Sequence, residues 1–236
     1  MIIISIFNDQ TIICVCCKER FNPSRIAKYS KNIGICHECF NKIEPIPLFN
    51  PLEGTKSVNY YVSGYYYNET LKTLIHRYKF NGEYGFADLF SSMLFDRIKD
   101  IKELHDFDFI TSVPISRQRF LNRGYNQAEL IAKQISELLD IPYVPCIYKH
   151  KHTIAQSLLK KSKRINNIRG AFIADSQRVN NKRILLLDDI ITTGSTMNEC
   201  ANELLKNNAQ FVAGISLAIT KRKVISEALS ILGSGF

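Results

Sequence analysis

The fold is decided by the stretch Ile184-Leu185-Leu186-Leu187-Asp188-Asp189-Ile190-Ile191-Thr192-Thr193-Gly194-Ser195-Thr196. Its first four residues form a continuous apolar run, which is typical of a strand buried on both faces of a parallel sheet. Two acids follow, and then a loop rich in hydroxyl groups that opens the next helix. In open α/β sheets, ligands bind at the carboxyl ends of the strands. The stretch therefore predicts an α/β fold with a binding site at that edge.

The residue types in this stretch suit a phosphorylated sugar. Asp188 and Asp189 offer acceptors for vicinal hydroxyls, a role that acidic residues also take in dinucleotide folds. Gly194 permits backbone conformations closed to other residues, and free amides at a helix start bind phosphate. The loop residues with hydroxyl groups are Thr192, Thr193, Ser195 and Thr196. The alternative is a capped helix with solvated acids. A P-loop nucleotidase is disfavoured because its motif is missing.

The flanking sequence alternates between helical and strand patterns. Apolar residues at i, i+3, i+4 and i+7 spacing predict helices near 71–78, 86–94, 131–138 and 197–205. Strands are predicted at 58–67, before Val113-Pro114 and at 211–219. Alternating strands and helices predict a central parallel sheet.

Two further segments are strongly basic. The loop that begins at Val113 and Pro114 is followed by Arg117, Arg119 and Arg123. Their planar guanidinium groups can donate several hydrogen bonds to anions with several oxygens. The alternative is a solvated basic loop. Asn126 is either the N-cap of the next helix or a pocket residue. Residues 141–174 contain many lysines and arginines but no acid, as expected for a grip on a nucleic-acid backbone or for a solvated hairpin.

Composition favours a soluble protein with anionic partners. The 236 residues are 45% hydrophobic and 22% charged, and the formal net charge is +9. No apolar run approaches the roughly 18 residues that span a bilayer. Polar residues interrupt the apolar start Met1-Ile2-Ile3-Ile4, so we expect no secretory signal and a cytoplasmic protein.

Five of the seven cysteines lie between residues 14 and 39. Cys14-x-x-Cys17, eighteen intervening residues and Cys36-x-x-Cys39 form a strong zinc pattern. Four protein thiolates fill a tetrahedron, so the predicted Zn²⁺ site is structural, and the metal is expected to supply most of the folding energy of this short segment. Cys16 and His37 are alternative ligands in the neighbourhood. Free structural thiols are the other interpretation.

The 184–196 stretch resembles, position for position, the 5-phosphoribosyl-1-pyrophosphate (PRPP) signature of type I phosphoribosyltransferases. The resemblance implies that Asp188 and Asp189 bind the ribose hydroxyls and that residues 192–196 wrap the 5′-phosphate. It also implies a Mg²⁺ ion with PRPP, a pyrophosphate loop at 112–117, and a mobile loop within 141–174 that closes over substrate.

Other segments resemble the ComF family: residues 74–82, 119–129 and 169–172, Val113-Pro114, and the paired cysteines. That resemblance implies a role in natural transformation, with single-stranded DNA and DNA-uptake helicase or channel proteins as partners, in the cytoplasm or at the inner membrane face. We predict three parts: a zinc-binding module at 1–50, a phosphoribosyltransferase-like domain at 51–223 and a tail at 224–236.

Three functional hypotheses remain open at this point. One is a competence protein that binds PRPP and DNA, and the second is an enzyme that transfers phosphoribose to an unknown acceptor. The third is a transcriptional regulator on the same fold, which ranks last because no helix-turn-helix pattern is apparent.

Overall fold

A computed structural model of the chain describes residues 11–30, 32–47, 52–53, 57–80, 82–150 and 170–221. Three sequence predictions fall outside these residues: the apolar start, most of the basic run at 141–174, and the tail at 224–236. Among the described helices, none combines the length and the apolar character needed to cross a bilayer.

The described chain alternates strands and helices as predicted. The strands are β1 (Ile12–Ile13), β2 (Arg20–Phe21), β3 (Leu52–Glu53), β4 (Tyr60–Tyr66), β5 (Phe109–Ser112), β6 (Ile147–Lys149), β7 (Phe172–Ala174), β8 (Arg183–Ile191) and β9 (Phe211–Ile219). The helices are α1 (His37–Phe40), α2 (Glu69–Phe80), α3 (Phe86–Ile98), α4 (Arg117–Arg123), α5 (Gln127–Leu139), α6 (Ser176–Val179) and α7 (Ser195–Lys206). Short 3₁₀ helices lie at Pro23–Arg25 and Lys102–Asp106.

The central sheet has five strands in the order β3-β4-β9-β8-β5. Its four strands β4, β9, β8 and β5 are parallel, and β3 adds an antiparallel edge. The predicted parallel sheet is thus confirmed. Strand β8 is longer than its apolar run because it pairs with β9 as far as Ile191. Both acids therefore lie within the carboxyl-terminal half of the strand and not in the loop after it.

Alternation along β8 divides the core into two layers. Leu185 and Leu187 pack with buried residues of α2, α3 and α5. Ile184 and Leu186 pack with α7 and with the small antiparallel sheet of β6 and β7. Successive side chains of a strand point to opposite faces, so an uninterrupted apolar run is what a strand covered on both faces requires.

The cysteine segment shares one apolar core with helices of the rest of the chain. The buried Cys14, Cys36 and Cys39 belong to the apolar cluster that contains α2 and α3. Backbone bonds also join the segment to β4, since the amide of Ile46 donates to the Gly64 carbonyl at 3.0 Å. The division at residue 50 stays a prediction.

Substitution of Gly214 tests how tightly β9 packs under α7. A Cβ at Gly214 would lie 2.6 Å from Tyr61 Cδ1 and closer still to Met197 Sδ. We expect Gly214→Ala to lower the free energy of unfolding by about 1–3 kcal/mol through overpacking, measured by denaturant titration. Gly85→Ala is the matched control because a Cβ there meets nothing within 4 Å. Equal stability of the two variants would contradict the packing at Gly214.

Candidate functional site

The loop between β8 and α7 forms the predicted phosphate turn. Gly194 has a φ of 72°, in the left-handed region that favours glycine. The Thr193 hydroxyl oxygen accepts a bond from the Ser195 amide at 3.3 Å and lies 2.8 Å from the Ser195 hydroxyl. Thr220, just after β9, donates its hydroxyl to the Thr192 carbonyl at 3.0 Å. The turn is therefore held from both sides, and it leads directly into the first amides of α7, which lack partners within the helix.

Two adjoining hollows lie at this edge of the sheet. The smaller, of about 20 Å³, is lined by Asp188 and by the loop residues from Ile190 to Met197. The larger, of about 210 Å³, extends from Asp188 and Asp189 to the loop after β5. Asp188, Thr192 and Thr196 line both hollows. One ligand with a small phosphate end and a larger body would fit this shape.

The two carboxylates have different surroundings. Asp189 is buried, and its Oδ2 lies 2.5 Å from the Lys79 ammonium. Asp188 accepts the Asp189 amide at 2.9 Å on Oδ1. Burial and the neighbouring Asp189 carboxylate raise the pKa of Asp188 well above its usual range. Ionised Asp188 is therefore unfavourable until a donor such as a sugar diol or a further cation arrives.

We expect Asp188→Asn to stabilise the ligand-free protein. The raised pKa means that Asp188 costs stability at neutral pH, and this cost shrinks as pH falls from the folded pKa towards the usual aspartate value, below which it is absent. Asparagine keeps an oxygen for the Asp189 amide but removes the repulsion. The melting temperature at pH 7 should rise by roughly 2–4 °C, and the gain should shrink at acid pH. A lower melting temperature at pH 7 would contradict this account.

The loop after β5 contributes the other wall of the larger hollow. Val113, Pro114, Arg119 and Arg123 line it. Arg117, which sequence reasoning placed in the pyrophosphate loop, is exposed at the start of α4 and does not line the hollow.

Asn126 has both of the roles that were predicted as alternatives, helix N-cap and pocket residue. Its Oδ1 accepts the Ala128 amide at 3.2 Å as an N-cap, and its Nδ2 donates to the Val113 carbonyl at 3.1 Å. It also lines the larger hollow. The side chain thus fixes the start of α5 to the loop that faces the acids.

Sequence reasoning did not single out Lys79 as a site residue, and it placed Lys149 only within the basic run at 141–174. Lys79 comes from the last turn of α2 and Lys149 from the end of β6, and both line the larger hollow with Arg119 and Arg123. Burial lowers the pKa of Lys149, and the nearby Arg119 adds to this effect. Four cationic side chains around one cavity suit a ligand with several negative charges. Lys79 lies in the segment 74–82, which resembles the ComF family, but no local pattern indicates that its partner is a carboxylate of β8.

The four paired cysteines converge as predicted. The sulfur atoms of Cys14, Cys17, Cys36 and Cys39 all lie within 4.8 Å of one another. A tetrahedral zinc site with Zn–S bonds of ~2.3 Å separates its sulfurs by about 3.8 Å, so this set fits the metal after small adjustments. Among the described residues, Cys16 and His37 are not part of the cluster.

Cys14 and its neighbour Cys16, which lies outside the cluster, differ in their ease of ionisation. Burial opposes the charged form of Cys14, but amides of Cys36, Cys17 and Cys16 outweigh it and lower the pKa of Cys14 to about 6. Burial, with the Cys14 charge, raises the pKa of Cys16 to about 12. Amides directed at one sulfur are typical of cysteine turns that bind metal as thiolates.

Comparison with known proteins agrees with this geometry. The family described as phosphoribosyl transferase domain matches residues 123–227, which include both acids and the phosphate turn. Competence protein F of Haemophilus influenzae is 37% identical over 147 residues, covering 60% of this chain and 64% of that protein. Competence protein ComFC of Streptococcus pneumoniae is 33% identical over 151 residues, covering 64% of each chain.

A third relative is the DNA utilization protein YhgH of Escherichia coli K12, which is 30% identical over 150 residues, covering 62% of this chain and 66% of that protein. The chain thus spans a little under two thirds of the length of the curated relatives it matches. These identities confirm the family resemblance seen in the sequence. The chain is therefore a homologue of the ComF proteins and carries a phosphoribosyl transferase domain.

Proposed function

We propose that this chain is a ComF-like competence protein that acts in DNA uptake and binds PRPP with Mg²⁺ at the edge of its parallel sheet. One observation carries the proposal: adjacent carboxylates at the end of β8 lie beside a glycine turn that leads into the amides of α7. A sugar diol and a phosphate on one ligand are the groups that such a pair of features recognises.

Each wall of the cavity has its own part in binding. Asp188 and Asp189 accept the ribose hydroxyls, while residues 192–196 surround the 5′-phosphate in the smaller hollow. Arg119, Arg123 and Lys149 face the same space from the other walls and hold the pyrophosphate. The path from phosphate turn to arginines matches the order of phosphate, ribose and pyrophosphate in PRPP.

Two metals belong to the proposal. The carboxylates are the hard oxygen donors that Mg²⁺ prefers. In phosphate-binding sites this ion is usually held by one or two carboxylates together with phosphate oxygens of the ligand. When bound, Mg²⁺ neutralises charge on the pyrophosphate. Zn²⁺ is assigned to the four clustered cysteines, where protein fills every coordination position and leaves none for catalysis.

The biological part of the proposal comes from the relatives. Two of them are named as competence proteins and one as a DNA utilization protein. The net charge of +9 suits a partner such as single-stranded DNA. DNA-uptake helicase or channel proteins are the expected protein partners, in the cytoplasm and at the inner face of the membrane.

A second candidate function is a phosphoribosyltransferase that passes the sugar to an unknown base-like acceptor. The four cations around the larger hollow favour it, because transfer needs stabilisation of departing pyrophosphate. The residues that would do this are Arg119, Arg123, Lys79 and Lys149. Release of pyrophosphate from PRPP and Mg²⁺ with a panel of nucleobases would identify this activity.

Isothermal titration of the zinc-loaded chain with PRPP and Mg²⁺ tests the shared premise of both functions. We expect one site per chain and weaker binding when Mg²⁺ is replaced by a chelator. Binding without pyrophosphate release supports the competence protein, and release that needs an acceptor supports the enzyme. A flat titration would refute the PRPP pocket.

A further inference from the structure

Phe80 forms an unusual exposed contact at the rim of the larger hollow. It ends α2, and 62% of its side chain is exposed. Its ring centroid lies 4.6 Å from that of His76, and the Arg123 guanidinium carbon lies 5.0 Å from the ring centre. Because Arg123 also lines the larger hollow, Phe80 connects the outer face of α2 with the mouth of the proposed PRPP pocket.

A wide groove runs along α2 beside the first cysteine turn, and His76, whose ring contacts Phe80, is part of its lining. It has a volume of about 480 Å³ and is lined by Lys18, Glu69, Lys72, Thr73, His76 and Arg77. Lys72, His76 and Phe80 are spaced four residues apart, so they lie on one face of the helix over about 12 Å of its length. The Lys72–Glu69 pair is exposed, and such pairs contribute little and are easily exchanged for a phosphate.

Beyond Phe80, α4 adds positive charge without any acidic residue of its own. Residues 113–128 contain three arginines and no aspartate or glutamate. Within the part of the chain that the structure describes, Arg117, Arg119 and Arg123 form no ion pair. Arg119 and Arg123 face the larger hollow, whereas Arg117 is exposed outside it. Arg117 is thus free to meet a second anionic ligand.

We propose that the groove, Phe80 and Arg117 form one track for single-stranded nucleic acid that passes the mouth of the larger hollow. The inference rests on the proposed function, in which the chain handles single-stranded DNA, and it names the surface. Backbone phosphates follow Lys72 and Arg117, and a base stacks on the Phe80 ring, the combination that sequence-independent single-strand binding uses. A duplex keeps its bases stacked inside and gains nothing from Phe80.

The test uses the full zinc-loaded chain and a fluorescein-labelled 20-residue oligothymidylate, with affinity measured by fluorescence anisotropy at several salt concentrations. We expect Lys72→Ala/Phe80→Ala/Arg117→Ala to weaken binding about 100-fold. Two lost cations should reduce the slope of log affinity against log salt by about 1.4. Zinc content should stay at the wild-type level, and so should PRPP binding in Lys72→Ala/Arg117→Ala, since neither of these two residues lines the larger hollow or the cysteine cluster.

A pair of single variants separates stacking from bulk. Phe80→Trp should keep wild-type affinity within about twofold because it keeps a stacking face, whereas Phe80→Leu should lose about tenfold. This pair decides the question even if the triple variant fails to fold. Equal affinities for the two variants would overturn the track.

Two variants elsewhere serve as matched controls. Lys206 is exposed and pairs with Glu203 three residues away, as Lys72 does with Glu69, and Tyr148 is an exposed ring on β6. Lys206→Ala/Tyr148→Ala should bind oligothymidylate as the wild type does, and an equal loss in this variant would overturn the assignment.

Competitors test the identity of the occupant. Duplex DNA or phosphatidylserine vesicles that displace the oligonucleotide more effectively than unlabelled oligothymidylate would overturn it as well. If the wild type binds PRPP but no oligonucleotide, the track is refuted and the PRPP pocket is retained. If it binds the oligonucleotide but not PRPP, only the pocket is refuted.

Discussion

Replacing Asp188 and Asp189 together by asparagine should weaken PRPP binding in the presence of Mg²⁺ by at least about 100-fold. Charged acceptors contribute roughly 1.5–3 kcal/mol per hydrogen bond, and both sugar hydroxyls lose such a partner. A 100-fold loss corresponds to about 2.7 kcal/mol, so two lost partners are sufficient. Isothermal titration of the wild type and the double variant measures the difference directly.

Two features of the structure make this result specific. Lys79 is the ion-pair partner of Asp189, and it gains freedom to bind phosphate when the carboxylate is removed. The cations of the other walls remain, so inorganic pyrophosphate should bind the double variant at least as tightly as it binds the wild type. A general collapse of the cavity would instead lower the affinity for both ligands.

Glu129→Gln is the control for the loss of a negative charge near the cavity. Glu129 lies on α5 and lines a separate hollow behind the loop after β5. Its substitution should leave PRPP affinity unchanged. The double aspartate variant should also retain its zinc. Unchanged PRPP affinity in that variant, or a joint loss of PRPP binding and zinc, would contradict the assignment.

Sequence was sufficient for the features that depend on neighbouring residues. The apolar run at 184–187, the hydroxyl loop and Gly194 lie within thirteen consecutive positions, and backbone geometry alone brings the turn to the end of the strand. The cysteine pairs were equally accessible, because each C-x-x-C turn fixes two sulfurs locally. In these cases short-range spacing determines the arrangement of the functional groups.

Sequence was insufficient where the site depends on how distant elements pack. Lys79 lies more than a hundred residues before Asp189 and meets it only because the fold brings the end of α2 close to β8. Arg117 and Arg119 are two residues apart, yet only Arg119 lines the larger hollow, since successive residues of a helix point in different directions. Ser116 and Gly124 fix where α4 begins and ends. Neither residue shows where the helix lies relative to the sheet.

Removal of the metal is expected to destabilise more than the cysteine segment. Structural zinc contributes about 10–16 kcal/mol in small zinc peptides, which is comparable to the whole stability of a domain. Cys14, Cys36 and Cys39 are buried in the same apolar cluster as α2 and α3. We therefore expect Cys39→Ser to lose zinc and to lower the melting temperature by about 10 °C or more, measured by metal analysis and calorimetry.

Cys16→Ser is the closest control that the chain offers. Cys16 precedes Cys17 directly but lies outside the set of four clustered sulfurs. The variant should keep its zinc and melt within about 2 °C of the wild type. Loss of zinc from Cys16→Ser would mean that the ligands exchange.

The shape of the melting curve decides whether the segment is an independent module. If it folded alone, removing zinc would leave the main transition of the phosphoribosyl transferase domain unchanged. The shared cluster and the backbone bond between Ile46 and Gly64 predict instead that the zinc-loaded protein unfolds in one cooperative transition and that metal loss shifts it as a whole. A zinc-free Cys39→Ser chain that melts like the wild type would refute this coupling.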